Sequence, residues 1–330
     1  MNTIGAPHGC DALFAPAVPG GSVFVFHGKA DGLLPFYGYR ISQYSFGNDP
    51  VESEDRFGRS LASLDLDADG HDDLAIGVPG ENDRSGAVQI VMGSPNGLIY
   101  AHNAIFFPTD LGDAAAASDL LGWALAGGDF DGDGCDDLAI GVPGKDIEVA
   151  GALVNDAGSV DIVYGAPDPE WFDIPRTEHL SQSTISHNPN QEATQDGFGS
   201  AFGVGDFDRD GRDDLAIGHP LDSWGGSYVG AVTVLMGAVP SIGQSTRFHL
   251  ISIGREGVPG TADQEFQSAG AALGAGDFDA SGRSDLVIGV PEYDGDNTDS
   301  GAEVVLYSDR SLLNDAFESG ATDRWSAFVP

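Results

Sequence analysis

Aspartates recur in this chain at a spacing that suits a hard divalent cation. In GDFDGDGCDDLAIGVPG, residues 128–144, Asp129, Asp131 and Asp133 alternate with other residues and Asp137 follows at the ninth loop position. Calcium takes about six to eight oxygen ligands and needs a backbone that turns sharply around it. Carboxylates at positions 1, 3, 5 and 9, a backbone carbonyl at position 7 and Gly at position 6 supply that shell. Here the set is Asp129, Asp131, Asp133, the Cys135 carbonyl and Asp137. Three further loops keep the register: Asp65, Asp67, Asp69, the His71 carbonyl and Asp73; Asp206, Asp208, Asp210, the Arg212 carbonyl and Asp214; Asp277, Asp279, Ser281, Arg283 through its carbonyl, and Asp285. Ser281 removes one carboxylate, so the expectation is three strong Ca2+ sites and one weaker. Magnesium prefers a rigid octahedron and keeps its waters, and zinc prefers nitrogen and sulfur.

Asp and Gly also favour turns without any metal, and surplus acid can simply keep a surface solvated. Four copies at one register, each with the ninth-position Asp, argue for the metal. Like charges packed into one loop repel unless a cation offsets them. The formal net charge is −38, and Lys29 and Lys145 are the lysines. Such a chain is repelled by nucleic acid and by anionic membrane surfaces, which disfavours both as partners. An 18-residue apolar run that could insert into a membrane is also missing from the sequence.

The loops must be positioned by repeating elements. Their first aspartates recur every 64 to 77 residues. Each loop is preceded by a small-residue segment, at Phe57, Leu121, Phe198 and Ala269, and each is followed by a Gly and a second apolar run, at Gly86, Gly158, Gly230 and Gly301. Alternation in runs such as AVQIVM indicates strands. Each unit therefore reads as strand, aspartate loop, strand, variable loop, strand and a segment with room for a fourth strand. The glycines ahead of the aspartates belong in an inner strand where neighbouring sheets crowd. One sheet of this kind cannot bury both faces alone, and radial stacking into a β-propeller solves that. A fifth copy lies at the start, where TIGAPHG at Thr3 matches AIGVPGE at Ala75 and GGSVFVFHG at Gly20 matches SGAVQIVMG at Ser85. It lacks an inner strand and aspartate loop, as if the sequence began inside a blade.

These units resemble FG-GAP repeats, the blade sequence of the integrin alpha-subunit propeller and its bacterial relatives. Phe57-Gly58 and Phe198-Gly199 give the FG, and Ile4, Ile76, Ile140 and Ile288 open the IGAP or IGVP element. Leu121-Gly122 and Ala269-Gly270 soften the FG. The resemblance implies an all-β propeller of four-stranded blades, seven in the family, with calcium between the first and second strands. Five units are visible here, at about 1–50, 51–115, 116–192, 193–262 and 263–310, the first truncated, ahead of a C-terminal tail at 311–330. The tail segment FESGATDRWS resembles that of some secreted bacterial proteins. It implies export, although MNTIGAPHGC shows no signal peptide.

Loops between second and third strands, and the connections between units, emerge opposite the aspartate loops, where a rigid scaffold carries recognition. Trp224, Tyr228, Tyr293 and Trp171 are candidate anchors there, with the covering of sheet edges as the alternative role. The resemblance implies a protein or glycan ligand on that face and an extracellular or cell-surface binding and adhesion module. The alternatives are the propeller portion of a secreted hydrolase and a purely structural repeat domain. Motifs for a Ser nucleophile elbow, a zinc helix, a phosphate loop or a dinucleotide are absent from the sequence. His219, which replaces a Val at a strand end, reads as packing. Cys10 and Cys135 fall at opposite ends of non-adjacent units, which argues against a disulfide.

Overall fold

The computed structural model describes residues 2–6, 20–29, 32–47, 52–167, 176–186, 194–224, 227–252, 268–292, 301–308 and 326–328. The chain divides into two compact units. One holds Met1–Gly127, Cys135–Ile140 and Val163–Thr177; the other holds Gly128–Gly134, Gly141–Ile162 and Glu178–Pro330.

The chain is all-β, and its principal sheets follow the repeats. The first sheet has three strands, Asn2–Ala6, Ser22–Lys29 and Gly32–Ile41. The second runs Leu61–Leu64, Asp73–Val78, Ala87–Val91, Asn103–Phe106. The third runs Leu125–Gly128, Asp137–Val142, Ser159–Val163, Thr177–Leu180. The fourth runs Ala201–Gly205, Asp214–His219, Ala231–Leu235, Phe248–Ile251. The fifth runs Ala272–Gly276, Asp285–Val290, Ala302–Tyr307, Ser326–Phe328. Its last strand comes from the segment expected to be a tail. The registered pairings in the first, second, fourth and fifth sheets are antiparallel. Small hairpins decorate two variable loops, Ile147–Val149 with Ala152–Val154 and Ser223–Trp224 with Ser227–Tyr228.

Alternation in sequence does not mark an exposed face here. Strands Asp73–Val78, Asp137–Val142 and Asp214–His219 are buried at every position, and so are the third strands beside them. The polar members of the alternation are satisfied inside. Gln89 Nε2 donates to the Ala104 carbonyl at 2.7 Å, and Thr233 Oγ1 lies 3.1 Å from His219 Nε2. In the third sheet the inner strand is crowded as its glycines foretell, a Cβ on Gly127 meeting Leu64 at 2.7 Å, whereas Gly274 in the inner strand of the fifth sheet has open space around it.

The FG residue joins one repeat to the next. Phe57, Leu121, Phe198 and Ala269 form isolated parallel bridges with Gly21, Gly86, Gly158 and Gly230 of the preceding sheet. The Phe198 N–H donates to the Ala157 carbonyl at 3.0 Å, and the Leu121 N–H donates to the Ser85 carbonyl at 3.0 Å. A Cβ on Gly158, at φ +87°, would fall 2.3 Å from the Phe198 carbonyl oxygen, so only glycine admits this approach. The FG side chain is then fully buried. Phe57 packs among Val23, Val25, Ile41, Leu74 and Ile76. Leu121 and Ala269 hold the same bridge, so the softened copies keep the geometry.

Removing the Phe198 ring deletes a large side chain from a site with no exposed surface. Phe198→Ala is expected to lower unfolding free energy by about 3–5 kcal/mol, read from urea denaturation. A change below about 1 kcal/mol would refute the ring as a principal packing element.

Candidate metal centres

Every aspartate loop folds by the same rule: the first carboxylate gathers the backbone N–H groups that the turn points inward. In the 65–73 loop, Asp69 N–H lies 3.1 Å from both Asp65 Oδ1 and Asp67 Oδ1, and Gly70 N–H donates to Asp65 Oδ2 at 2.9 Å. The 129–137 and 206–214 loops repeat the pattern. The 277–285 loop keeps it too, with Ser281 N–H on Asp277 and Asp279 at 2.9 Å each. Ser281 Oγ takes over from the missing carboxylate in accepting the Arg283 N–H at 3.3 Å.

The ninth-position aspartate is buried and staples separate segments together. Asp73 accepts from Leu66 N–H at 3.0 Å and from Gly93 N–H at 2.7 Å. Asp214 accepts from Phe207 and Gly237, both at 2.8 Å, and Asp285 from Phe278 and Ser308, both at 2.9 Å. Asp137 accepts from Gly165 at 3.0 Å. Each therefore ties its own loop to a residue just beyond the third strand.

The structure brings one carboxylate oxygen from each of three aspartates within 4.8 Å of the others in every loop. The triples are Asp65, Asp67 and Asp73; Asp129, Asp131 and Asp137; Asp206, Asp208 and Asp210; and Asp277, Asp279 and Asp285. All donors are oxygens, which fits a hard divalent cation. Asp69, Asp133 and Asp214 fall outside these triples. Asp69 Oδ1 turns back to accept the His71 N–H at 2.8 Å. The position-7 residues were expected to act through their carbonyls, but two contribute side chains as well. The Arg212 guanidinium pairs with Asp210. Arg283, 9% exposed, donates from Nη1 to the Asp208 carbonyl at 3.0 Å. Arg247 Nη1 lies 2.6 Å from Asp208 Oδ2, so arginines from inside and outside the 206–214 loop pair with its aspartates. Cys135 is buried; Cys10 lies outside the described residues.

Position 8 has a role that sequence reasoning missed, although its signal was the DD doublet at three of the four loops. Asp136 N–H donates to the Asp65 carbonyl and its Oδ2 accepts the Asp65 N–H, at 3.0 and 2.9 Å. Asp213 does the same for Asp129, at 3.0 and 3.2 Å. At the last loop Ser284 stands in place of the acid and keeps the N–H bond to the Asp206 carbonyl, at 3.0 Å. Consecutive loops are thereby coupled through their backbones.

A family model for the FG-GAP repeat matches residues 57–91, 121–163 and 198–235, each running from the FG residue through the third strand. The chain carries three FG-GAP repeats. Integrin alpha pat-2 of Caenorhabditis briggsae is 28% identical over 249 residues, covering 71% of this chain and 18% of its own length. Phosphatidylinositol-glycan-specific phospholipase D of Rattus norvegicus is 32% identical over 194 residues, covering 54% of this chain and 20% of its own. The chain thus spans about a fifth of the length of these relatives. Among solved structures, rhamnogalacturonan lyase YesW aligns over 88% of this chain and 55% of its own, at 13% identity and TM-score 0.37.

Around the FG-GAP repeats, the other residues singled out from the sequence are placed unevenly. His219 is fully buried, with Nδ1 2.7 Å from Asp222 Oδ2 and its ring tilted at 50° to the Phe198 ring, 5.6 Å between centroids. Trp224 and Tyr228 lie in a short hairpin, while Trp171 and Tyr293 fall outside the described residues. An interaction that the sequence did not signal joins Arg59 and Trp123, each directly after its FG or LG pair, with the guanidinium 4.3 Å from the ring centroid. Among the described residues, no helix is long and apolar enough to cross a membrane.

Burial pushes the Asp214 carboxyl up to about 8 and the Asp73 carboxyl up to about 7, with the first and second aspartates of each loop adding to the shift. A carboxyl raised in the folded state contributes stability at low pH that is lost as pH rises through the folded value. Burial also pushes His249 down to about 4, which costs stability only below its ordinary 6.5. In chelator, the melting temperature is therefore expected to fall between pH 6.5 and 8. Saturating calcium, which favours ionised carboxylates, should remove that fall. Thermal melts at the two ends of that window, with EDTA or calcium, check the sign, and a rise with pH in EDTA refutes it.

Proposed function

We propose that this chain is a calcium-stabilised β-propeller module, with its sheets as consecutive blades, that binds a protein or glycan ligand outside the cell. The observation that carries this reading is the set of oxygen-only aspartate triples repeated in register at one end of successive sheets. The coupling of those loops through Asp136 and Asp213 supports it, because an ion held in one loop then steadies the next. The FG-GAP match and the similarity to an integrin alpha chain support the ligand-binding part. The scaffold divides its labour: metal loops fix one end of each sheet, and the variable loops at the other end are free to diverge.

With a dissociation constant of about 0.1 mM and free calcium of about 1 mM, each site contributes roughly 1.4 kcal/mol to folding. Chelation is therefore expected to lower the melting temperature markedly, and a melt indifferent to EDTA refutes the metal role. Binding to a panel of glycans and matrix proteins is expected in calcium and lost in EDTA; equal signal with and without chelator would count against a metal-organised binding face.

The similarity to phosphatidylinositol-glycan-specific phospholipase D favours a second reading, the propeller portion of a secreted hydrolase. Hydrolysis of a phosphatidylinositol-glycan substrate by the chain alone would move the assignment there.

A further inference from the structure

We propose that the turns opening the inner strands of the second and third sheets form a binding site for a uronate sugar, with Arg56 and Arg59 holding its carboxylate and Trp123 packing against its ring. The inference rests on the ligand-binding reading above and names the ligand's chemistry, at the end of the sheets opposite the aspartate loops.

The turn is the same in every full repeat. The Arg59 N–H donates to the Arg56 carbonyl at 2.9 Å, Trp123 to Leu120 at 3.0 Å, Ser200 to Gly197 at 3.2 Å and Ala271 to Ser268 at 3.1 Å. Its first residue is left-handed throughout, at φ +60° for Arg56, +67° for Leu120, +66° for Gly197 and +53° for Ser268. That conformation favours glycine, and small residues fill both turn positions in the fourth and fifth sheets. The turn itself therefore asks for neither arginine nor tryptophan. The two turns that carry them are fixed in place. Ser60 Oγ donates to the Gly122 carbonyl at 2.7 Å, joining one turn to the other, and the Gly58 N–H donates to the Gly77 carbonyl at 3.0 Å.

Charge points to the ligand. The chain has 52 acidic residues to 14 lysines and arginines, so a basic side chain readily finds a carboxylate, as Arg212 does at Asp210 and Arg247 at Asp208. Among the described residues, no carboxylate pairs with Arg56 or Arg59; the two act on each other instead. Partial removal from water lowers the Arg59 guanidinium below its ordinary range, and the charge of Arg56 lowers it further. Two like charges left together are stabilised by an anion between them. Arg59 is exposed, and Arg56 and Trp123 are half-buried, so an anion can reach them. The Arg59 guanidinium lies 4.3 Å from the Trp123 ring centroid. A guanidinium held over an aromatic face keeps its planar N–H fork free at the edge, and that fork matches a carboxylate with two parallel hydrogen bonds. A polyanion of high charge density is repelled by a chain of net charge −38. A uronate brings a single carboxylate on a ring whose C–H face an indole can pack against. An acidic peptide offers the carboxylate without that ring.

Biolayer interferometry of the full chain in calcium tests this with immobilised oligosaccharides of glucuronate, galacturonate and mannuronate, each beside its carboxyl-reduced, neutral counterpart, and with poly-glutamate. The wild type is expected to bind at least one uronate oligosaccharide, at least about tenfold more tightly than its neutral counterpart. Arg56→Gly, which installs the residue of the fourth sheet's turn, should lower that affinity about tenfold or more without lowering the melting temperature. Arg59→Gln should weaken binding likewise, and Arg59→Lys, which keeps the charge and loses the fork, should recover only part of the loss. Equal affinity for acidic and neutral sugars, or arginine variants that bind like the wild type, overturns the inference. A preference for poly-glutamate over every uronate overturns it in favour of an acidic peptide. If the wild type binds none of these probes but binds another glycan or a matrix protein in calcium, this inference fails and the ligand-binding reading stands; if it binds nothing in either panel, both fail.

Discussion

A carboxylate buried at the start of each sheet's second strand is the constraint on which the rest depends. Asp73, Asp137, Asp214 and Asp285 are out of water, and a charge in that position must be compensated. Backbone N–H groups compensate part of it. One comes from the second residue of the loop, at Leu66, Phe207 and Phe278, and one from beyond the third strand. Those bonds set the loop's path, and the path brings the first and second aspartates alongside. The remaining charge makes a cation the natural partner. Turn closure and the candidate metal centres thus draw on the same atoms: the residue that closes the turn also completes three of the four candidate triples.

The second constraint is close packing between successive sheets. The FG residue must come near enough to the preceding sheet for a backbone bridge, which demands glycine ahead of each third strand. Its own side chain then has nowhere to lie except the core. Coverage on both faces follows, and it explains why second and third strands are buried at every position in the second to fourth sheets. The fifth sheet departs from this: Phe278 is 56% exposed where Leu66, Phe130 and Phe207 are fully buried, and its second strand has a mixed burial pattern.

With both ends of the second strand fixed differently, the two ends of a sheet are under different pressures. At the aspartate end, backbone bonds couple one loop to the next through Asp136, Asp213 and Ser284, so a change there is felt by the neighbour. At the other end the loops carry hairpins, a short helical turn or a buried histidine network according to the repeat. The same register position holds Glu81, Lys145 or Asp222, which is a freedom the aspartate end does not have.

The sequence by itself determined the repeat, the strand order within it and the aspartate register, because each is a local pattern: periodic Asp, Gly where φ must be positive, and apolar runs of strand length. It also placed His219 in the interior, since an imidazole at a buried strand position has to pack. Only the tertiary structure decided which carboxylates converge, because a side chain's direction depends on the turn's hydrogen bonds; Asp69 and Asp133 have the right spacing and fall outside the triples. It also decided the roles of Asp136 and Asp213, whose partners lie 71 and 84 residues away, and of Arg247, far from any loop in the chain. The gathering of Gln43, Glu52, Asp55 and Glu81 is of the same kind. Gln43 and Glu81 lie 38 residues apart in the chain, and only the fold makes them neighbours.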